Sequence, residues 1–333
     1  MKFMVKMLML AAMTFPCASF ARKLKPEVEK AMQKGALAEI RLKVVDDKGA
    51  PVTNAGVRAI MDMPSDEYSM FGKTDTNGEY VVRGKTNGNY IKFLVGKDGY
   101  YDSYKRMTYI QMYAEHDVKD GKWQPYGETQ SIQLRRIRAP IELTCGTLFI
   151  DIGETNQWIG FDMLAKDFVR PFGKGENADF EIRAEWDGKP PIGSKMCYGE
   201  LRFTQPFAGG YYVEKVVESS YPYVYEAKRN DGYAALDIKV VNRMGEPGST
   251  RVPFREDSVL VTRTRCVVDE VTGKLKSANY GYIKDFMVSP SWKGKCTLRL
   301  FYVFNPTPNG RNLELDMKNN LCPNPGKIGQ RQP

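Results

Sequence analysis

Along most of this chain apolar and polar positions alternate with a period of two, the pattern of strands that bury one face. Ile40, Leu42 and Val44 stand between Arg41, Lys43 and Val45, and Asp46-Asp47-Lys48-Gly49 then turns the chain. The rhythm returns at residues 57–61, 80–82, 90–95 and 131–137, with Thr76-Asn77-Gly78 and Asn87-Gly88 as turn signals between them. Asn-Gly supplies the positive φ that a tight hairpin needs, so these short segments predict an antiparallel sandwich joined by hairpins. One stretch departs from the pattern. Residues 22–35 predict a short helix, with Pro26 near its first turn and Gly35 as its stop.

Arg138-Ala139-Pro140 marks a junction, because proline ends a strand and biases its predecessor to extended geometry. Beyond it the segments 142–150, 179–186, 200–204, 236–241, 258–268 and 297–304 predict a second, larger sandwich or jelly roll. The expected fold class is therefore all-β. The expected organisation is a leader (1–21), a short helix or linker (22–36), a first sandwich (37–139), a second one (140–318) and a tail (319–333). No internal repeat of fixed period is present.

The first sandwich resembles a known family. The run 44–57 (VVDDKGAPVTNAGV), then Gly72-Lys73-Thr74-Asp75-Thr76-Asn77-Gly78-Glu79-Tyr80, 90–95 (YIKFLV) and Lys97-Asp98-Gly99-Tyr100-Tyr101 look like a carboxypeptidase regulatory-like domain of the transthyretin-like type. The likeness covers about 100 residues, 37–138. It implies an accessory β-sandwich, common in exported bacterial proteins and without catalytic residues of its own.

The 333 residues suffice for two domains, and 42% hydrophobic with 27% charged residues is the composition of a folded chain. The first residues have the layout of a secretory leader. Lys2 and Lys6 precede an apolar run from Met7 to Phe15, and small residues lead to a cut near Ala21. Cys17 follows Pro16, a departure from the small residues that precede a lipid-modified cysteine. Nothing later approaches the roughly 18 apolar residues of a spanning helix. The expected location is thus periplasmic, cell-surface or secreted, with no transmembrane segment. The net charge of +9 falls to +7 without the two leader lysines. Export removes nucleic acid as a partner and leaves lipid headgroups, glycans or cell-envelope polymers as acidic partners. Arg135, Arg136 and Arg138 read as a solvated strand end at the junction.

Cys145, Cys197, Cys266, Cys296 and Cys322 all fall in the second half and allow two disulfides and one spare thiol, with the pairing open. No C-x-x-C pair exists, which removes the thioredoxin-like and zinc-ribbon readings. The single histidine, His116, lies in a polar stretch and reads as a surface residue. Glu181 and Glu185 share a strand face with Arg183 between them. At about 3.3 Å per residue they stand roughly 13 Å apart, too far for a glycosidase pair and well suited to a cross-charged surface. Asp75-Thr76-Asn77-Gly78 fails as a calcium loop, because Lys73 and Gly84 occupy the positions that need carboxylates. No glycine-rich phosphate cradle stands between a strand and a helix. Neither a metal nor a cofactor is expected.

The remaining feature is aromatic. Tyr221, Tyr223 and Tyr225 are spaced by two, so an extended segment puts all three on one face, with Tyr211, Tyr212 and Tyr233 nearby in sequence. Such rings can stack on sugars or form an interface, and packing into a core is the alternative. The sequence thus predicts an exported, non-catalytic binding or structural protein with its ligand surface at those tyrosines. The alternatives are an exported carbohydrate-active hydrolase and a subunit of a cell-surface assembly.

Overall fold

The computed structural model describes residues 24–316 apart from 64, 110–116, 153–156, 188–194, 217, 230–231, 245–256 and 291–295. The expected leader with Cys17, His116, the tail with Cys322, and the side chain of Cys296 lie outside the described residues. The chain is almost entirely β-structure.

A helix, α1 (Pro26–Lys34), precedes β1 (Ala36–Val45), β2 (Gly56–Asp62), β3 (Glu67–Lys73), β4 (Glu79–Thr86), β5 (Ile91–Gly96), β6 (Tyr100–Tyr101), β7 (Ser103–Met107), β8 (Val118–Lys119), β9 (Lys122–Trp123), β10 (Glu128–Gln133) and β11 (Arg135–Arg136). In one sheet β1 runs antiparallel to β4 and parallel to β10 and β9. The facing sheet has the order β3-β2-β5-β7. The alternation read from the sequence decides which residues meet. Ile40, Leu42 and Val44 point inward from β1, against Val57, Ala59 and Met61 from β2 and Phe93 and Val95 from β5, and all are buried. Val28 and Ala31 of α1 close one end of this core, and Gly35 leaves the helix at φ +74°.

The two Asn-Gly turns are not hairpins. Gly78 and Gly88 do adopt positive φ, but β3 and β4, and likewise β4 and β5, belong to different sheets. Turn chemistry sets the local φ. Which strand the chain joins next is decided by where its apolar face can be buried.

The second half contains β12 (Thr144–Ile152), β13 (Ile159–Asp162), β14 (Asp167–Phe168), β15 (Phe180–Asp187), β16 (Lys195–Arg202), β17 (Gly209–Glu214), β18 (Asp237–Met244), β19 (Ser258–Val268), β20 (Leu275–Pro290) and β21 (Cys296–Asn305). Two five-stranded sheets form, β12-β21-β20-β19-β17 and β14-β13-β15-β16-β18. No described sheet draws strands from both sides of residue 139. Phe180, Ile182, Leu201 and Val240 of the second sheet pack on Leu260, Ile283, Leu300 and Tyr302 of the first. The first sheet is covered on its other face too. Val259, Val261, Tyr280, Tyr282 and Val303 lie beneath the irregular segments that carry Tyr221–Ala227 and Leu313–Leu315.

Candidate functional site

The three tyrosines sit in that covering layer, and they are buried: Tyr221 is 1%, Tyr223 6% and Tyr225 9% exposed. The expected open ligand face is thereby corrected. Tyr221 and Tyr225 stack with ring centres 5.7 Å apart, and Tyr221 stacks at 4.8 Å on Tyr101, a residue of the first sandwich. The Arg135 guanidinium enters the same cluster. It donates through Nη1 to the carbonyl oxygens of Tyr221 and Tyr223 and lies 4.1 Å from the centre of the Tyr225 ring. The reading of the arginine cluster as a solvated strand end is corrected for Arg135, while the side chains of Arg136 and Arg138 are exposed. Arg135 is buried, Arg136 pairs with Asp46, and Arg138 pairs with Asp47 while stacking on Tyr225. Glu314 completes the joint by accepting from Tyr101 Oη and from the backbone N–H groups of Arg138 and Ala139. The tyrosine spacing therefore serves an intramolecular joint between the two halves.

Tyr223 has a second neighbour with chemical potential. Lys284 lies on β20 where the strand gains one residue against β21: Lys284 pairs with Phe301, and Met287 pairs with Arg299. The bulge puts Asp285 at φ +58°, a conformation that L residues seldom adopt. Lys284 is only 8% exposed, its Nζ donating to Tyr223 Oη and lying 4.4 Å from the Phe301 ring centre. The Asp285 carboxylate stands between two ammonium groups, 3.7 Å from Lys284 Nζ and 3.5 Å from Lys215 Nζ. Burial pulls the Lys284 amine down to about 8, against the attraction of Asp285 and with help from the charges of Lys215 and Arg299. Burial, with the Asp285 charge beside it, pushes the Tyr223 hydroxyl up, so it stays protonated through the neutral range. The site thus combines an amine whose charged form burial disfavours with a protonated hydroxyl that accepts its hydrogen bond.

No protein-family model matches the chain, and no curated protein matches it in sequence. Solved structures it aligns with include dioxygenases. They include the 3-chlorocatechol 1,2-dioxygenase of Rhodococcus opacus 1CP (12% identity, 32% of this chain and 62% of that one, TM-score 0.26). Others are a mutant catechol 1,2-dioxygenase of Acinetobacter radioresistens (14%, 34% and 56%, TM-score 0.27) and the hydroxyquinol 1,2-dioxygenase of Pseudomonas putida DLL-E4 (12%, 31% and 58%, TM-score 0.24). The chain spans less than two thirds of the length of each. At such TM-scores no activity passes from them to this chain. The expectation of a binding or structural protein is corrected at its carrying feature, because the tyrosine surface on which binding rested is buried. Among the described residues no group of three or more His, Cys, Asp or Glu is placed to hold a metal ion, and no step through one is derived.

Other sequence-flagged groups have structural partners. Glu181 pairs with Arg202 and Arg183 with Glu200, so the cross-charged face is present, and both guanidinium groups lie over the Trp158 ring. Cys145 and Cys197 each take part in a disulfide, and Cys266 is a half-buried free thiol that burial pushes up to about 11. Asp162 and Asp179 converge on Arg265 at 2.5 and 2.9 Å. Asp162 also accepts from the N–H groups of Leu164, Ala165, Glu176 and Asn177, which makes this cluster a clasp for the loop 163–177. Lys284 was missed because nothing local marks it. A lysine in a polar-looking stretch reads as solvated until the sheet on either side is known.

Proposed function

We propose that the protein is an exported enzyme whose reactive group is the Lys284 amine, working on a substrate carbonyl with Tyr223 as its proton relay. The contact of Lys284 Nζ with Tyr223 Oη, in a dry setting at a strand bulge, carries this reading. The neutral amine adds to the carbonyl carbon, and the carbonyl oxygen takes up a proton to give a carbinolamine. Loss of water then leaves an imine, with Tyr223 donating to the departing hydroxyl and recovering the proton afterwards. The Asp285 carboxylate, 3.7 Å from Nζ, offsets the positive charge that develops on the nitrogen as it adds.

Borohydride reduction during incubation with a panel of small aldehydes and 2-oxo acids tests it. The expected result is a reduced adduct on the peptide that carries Lys284, absent from Lys284→Arg and slowed in Tyr223→Phe. Adducts spread over surface lysines with none at Lys284 refute the proposal.

The setting is part of the same proposal. The basic start, apolar run and small residues before Arg22 support export, and the turn motifs of residues 44–101 support an accessory module of the carboxypeptidase regulatory-like kind. No described helix is long and apolar enough to cross a membrane. N-terminal sequencing of the exported form should begin close to Arg22.

A further inference from the structure

The outer face of the sheet β3-β2-β5-β7 belongs to no core, and only its β7 edge meets the second half, where the Tyr104 N–H donates to the Glu218 carbonyl. Its registers align Phe71, Arg58, Leu94 and Tyr104 in one row across all four strands, and Ser69, Ile60, Lys92 and Arg106 in the next. In the first row Phe71 is 71%, Tyr104 46% and Leu94 40% exposed. That is three large apolar groups on one strip of a single sheet. Arg58 lies over the Phe71 ring at 5.7 Å, and both Lys92 and Arg106 lie over the ring of Tyr90, at 4.2 and 4.9 Å. Lys73 extends the outward side of β3, and Glu67 is engaged by Lys92 at 3.3 Å. Four cations are therefore interleaved with exposed aromatic and aliphatic groups on one face of a sheet.

We propose that this face docks on an anionic lipid bilayer surface. Arg58, Lys73, Lys92 and Arg106 would meet the phosphate layer, while Phe71, Leu94 and Tyr104 enter the boundary between headgroups and acyl chains. Charge complementarity selects an anionic partner. The apolar row selects a bilayer over a soluble polyanion: aromatic rings with cationic neighbours suit an interface that is wet on one side and greasy on the other, whereas a polyanion gives Phe71 and Leu94 nothing to enter. The lysine and arginine stems lie along apolar surface and lift their charges to the phosphates.

Sedimentation of the full-length protein with vesicles of phosphatidylcholine, with and without one third phosphatidylglycerol, tests the proposal. Binding should require phosphatidylglycerol and weaken with salt. Arg58→Gln and Arg106→Gln should each lower partitioning about fivefold. Phe71→Ser should lower it about tenfold with no shift in the thermal midpoint, since the ring is exposed. Two results overturn the proposal. One is wild-type binding that does not depend on phosphatidylglycerol, or is absent. The other is equal retention of wild type and Phe71→Ser on both the vesicles and soluble polyphosphate, which would make the partner a polyanion.

Discussion

Arg135 donates to the carbonyl oxygen of Tyr221 at 2.6 Å while its guanidinium lies 5.5 Å from the centre of the same residue's ring. One side chain from the first sandwich thus satisfies the backbone and covers the aromatic face of a segment from the second. Charge-assisted bonds to buried carbonyls are among the stronger contacts a protein makes, and leaving such carbonyls unpaired is expensive. Arg135→Leu should therefore cost about 2–4 kcal/mol in urea unfolding. Arg135→Lys should recover part of it, since the ammonium restores the charge without the planar fork.

The tyrosines separate by what each contributes. Tyr221 Oη donates to the Leu313 carbonyl at 2.7 Å, so Tyr221→Phe should cost about 1 kcal/mol. Tyr221→Ala removes a buried ring and should cost about 3–5 kcal/mol. The triple alanine variant at 221, 223 and 225 should unfold the second sandwich outright. Near-UV circular dichroism against temperature is the measurement, and an unchanged midpoint would show that the rings do not hold this layer.

Lys284 makes stability depend on pH in a definite direction. Its amine is lowered from 10.5 to about 8, so between those values the unfolded chain binds more protons than the folded one. Stability should rise as pH climbs from about 8 to 10.5, and burial of the charged form should cost up to about 3 kcal/mol below that window. Lys284→Met should remove this rise and be the more stable protein at pH 7. Paired denaturant titrations at pH 7 and pH 10 check it. A wild type and variant with the same pH dependence would contradict the burial of the amine.

Arg265 neutralises Asp179, whose side chain is fully buried and whose carboxyl is raised by burial in spite of the bonds from Arg265, Met163 and Thr264. Arg265→Gln leaves that carboxylate without its counter-charge and should cost about 3–5 kcal/mol at pH 7. The deficit should shrink as pH falls, because a raised Asp179 takes up a proton early and becomes neutral. A deficit that stays constant from pH 7 to pH 4 would mean that Asp179 does not titrate there.

The two halves differ in what each needs from the other. Residues 24–139 bury their own core between two sheets, while the second half relies on Arg135 from across the joint. Expressed alone, 24–139 should melt cooperatively near its midpoint in the whole chain. Residues 140–316 alone should melt markedly lower by calorimetry, and adding the first half in trans should raise them.

Period-two alternation was enough to place β1, β2, β5 and β15, because each buries one face and shows water the other. It failed for β20, whose sixteen residues include Gly281, Asn279, Lys284 and Asp285, and whose two faces are both covered. A strand buried on both sides has no reason to alternate. The tyrosine spacing was legible as a shared face, but sequence carries no sign of which way a face points. That was settled by the outer side of the β12-β21-β20-β19-β17 sheet, whose apolar residues need a cover. In the same way the turn residues fixed positive φ at Gly78 and Gly88, and only the packing of two sheets made those turns into crossings between layers. Local chemistry determined where this chain extends and where it bends. Long-range burial of apolar surface, summed over strands far apart in sequence, decided what Lys284, Arg135 and the tyrosines touch, and with it their charge and reactivity.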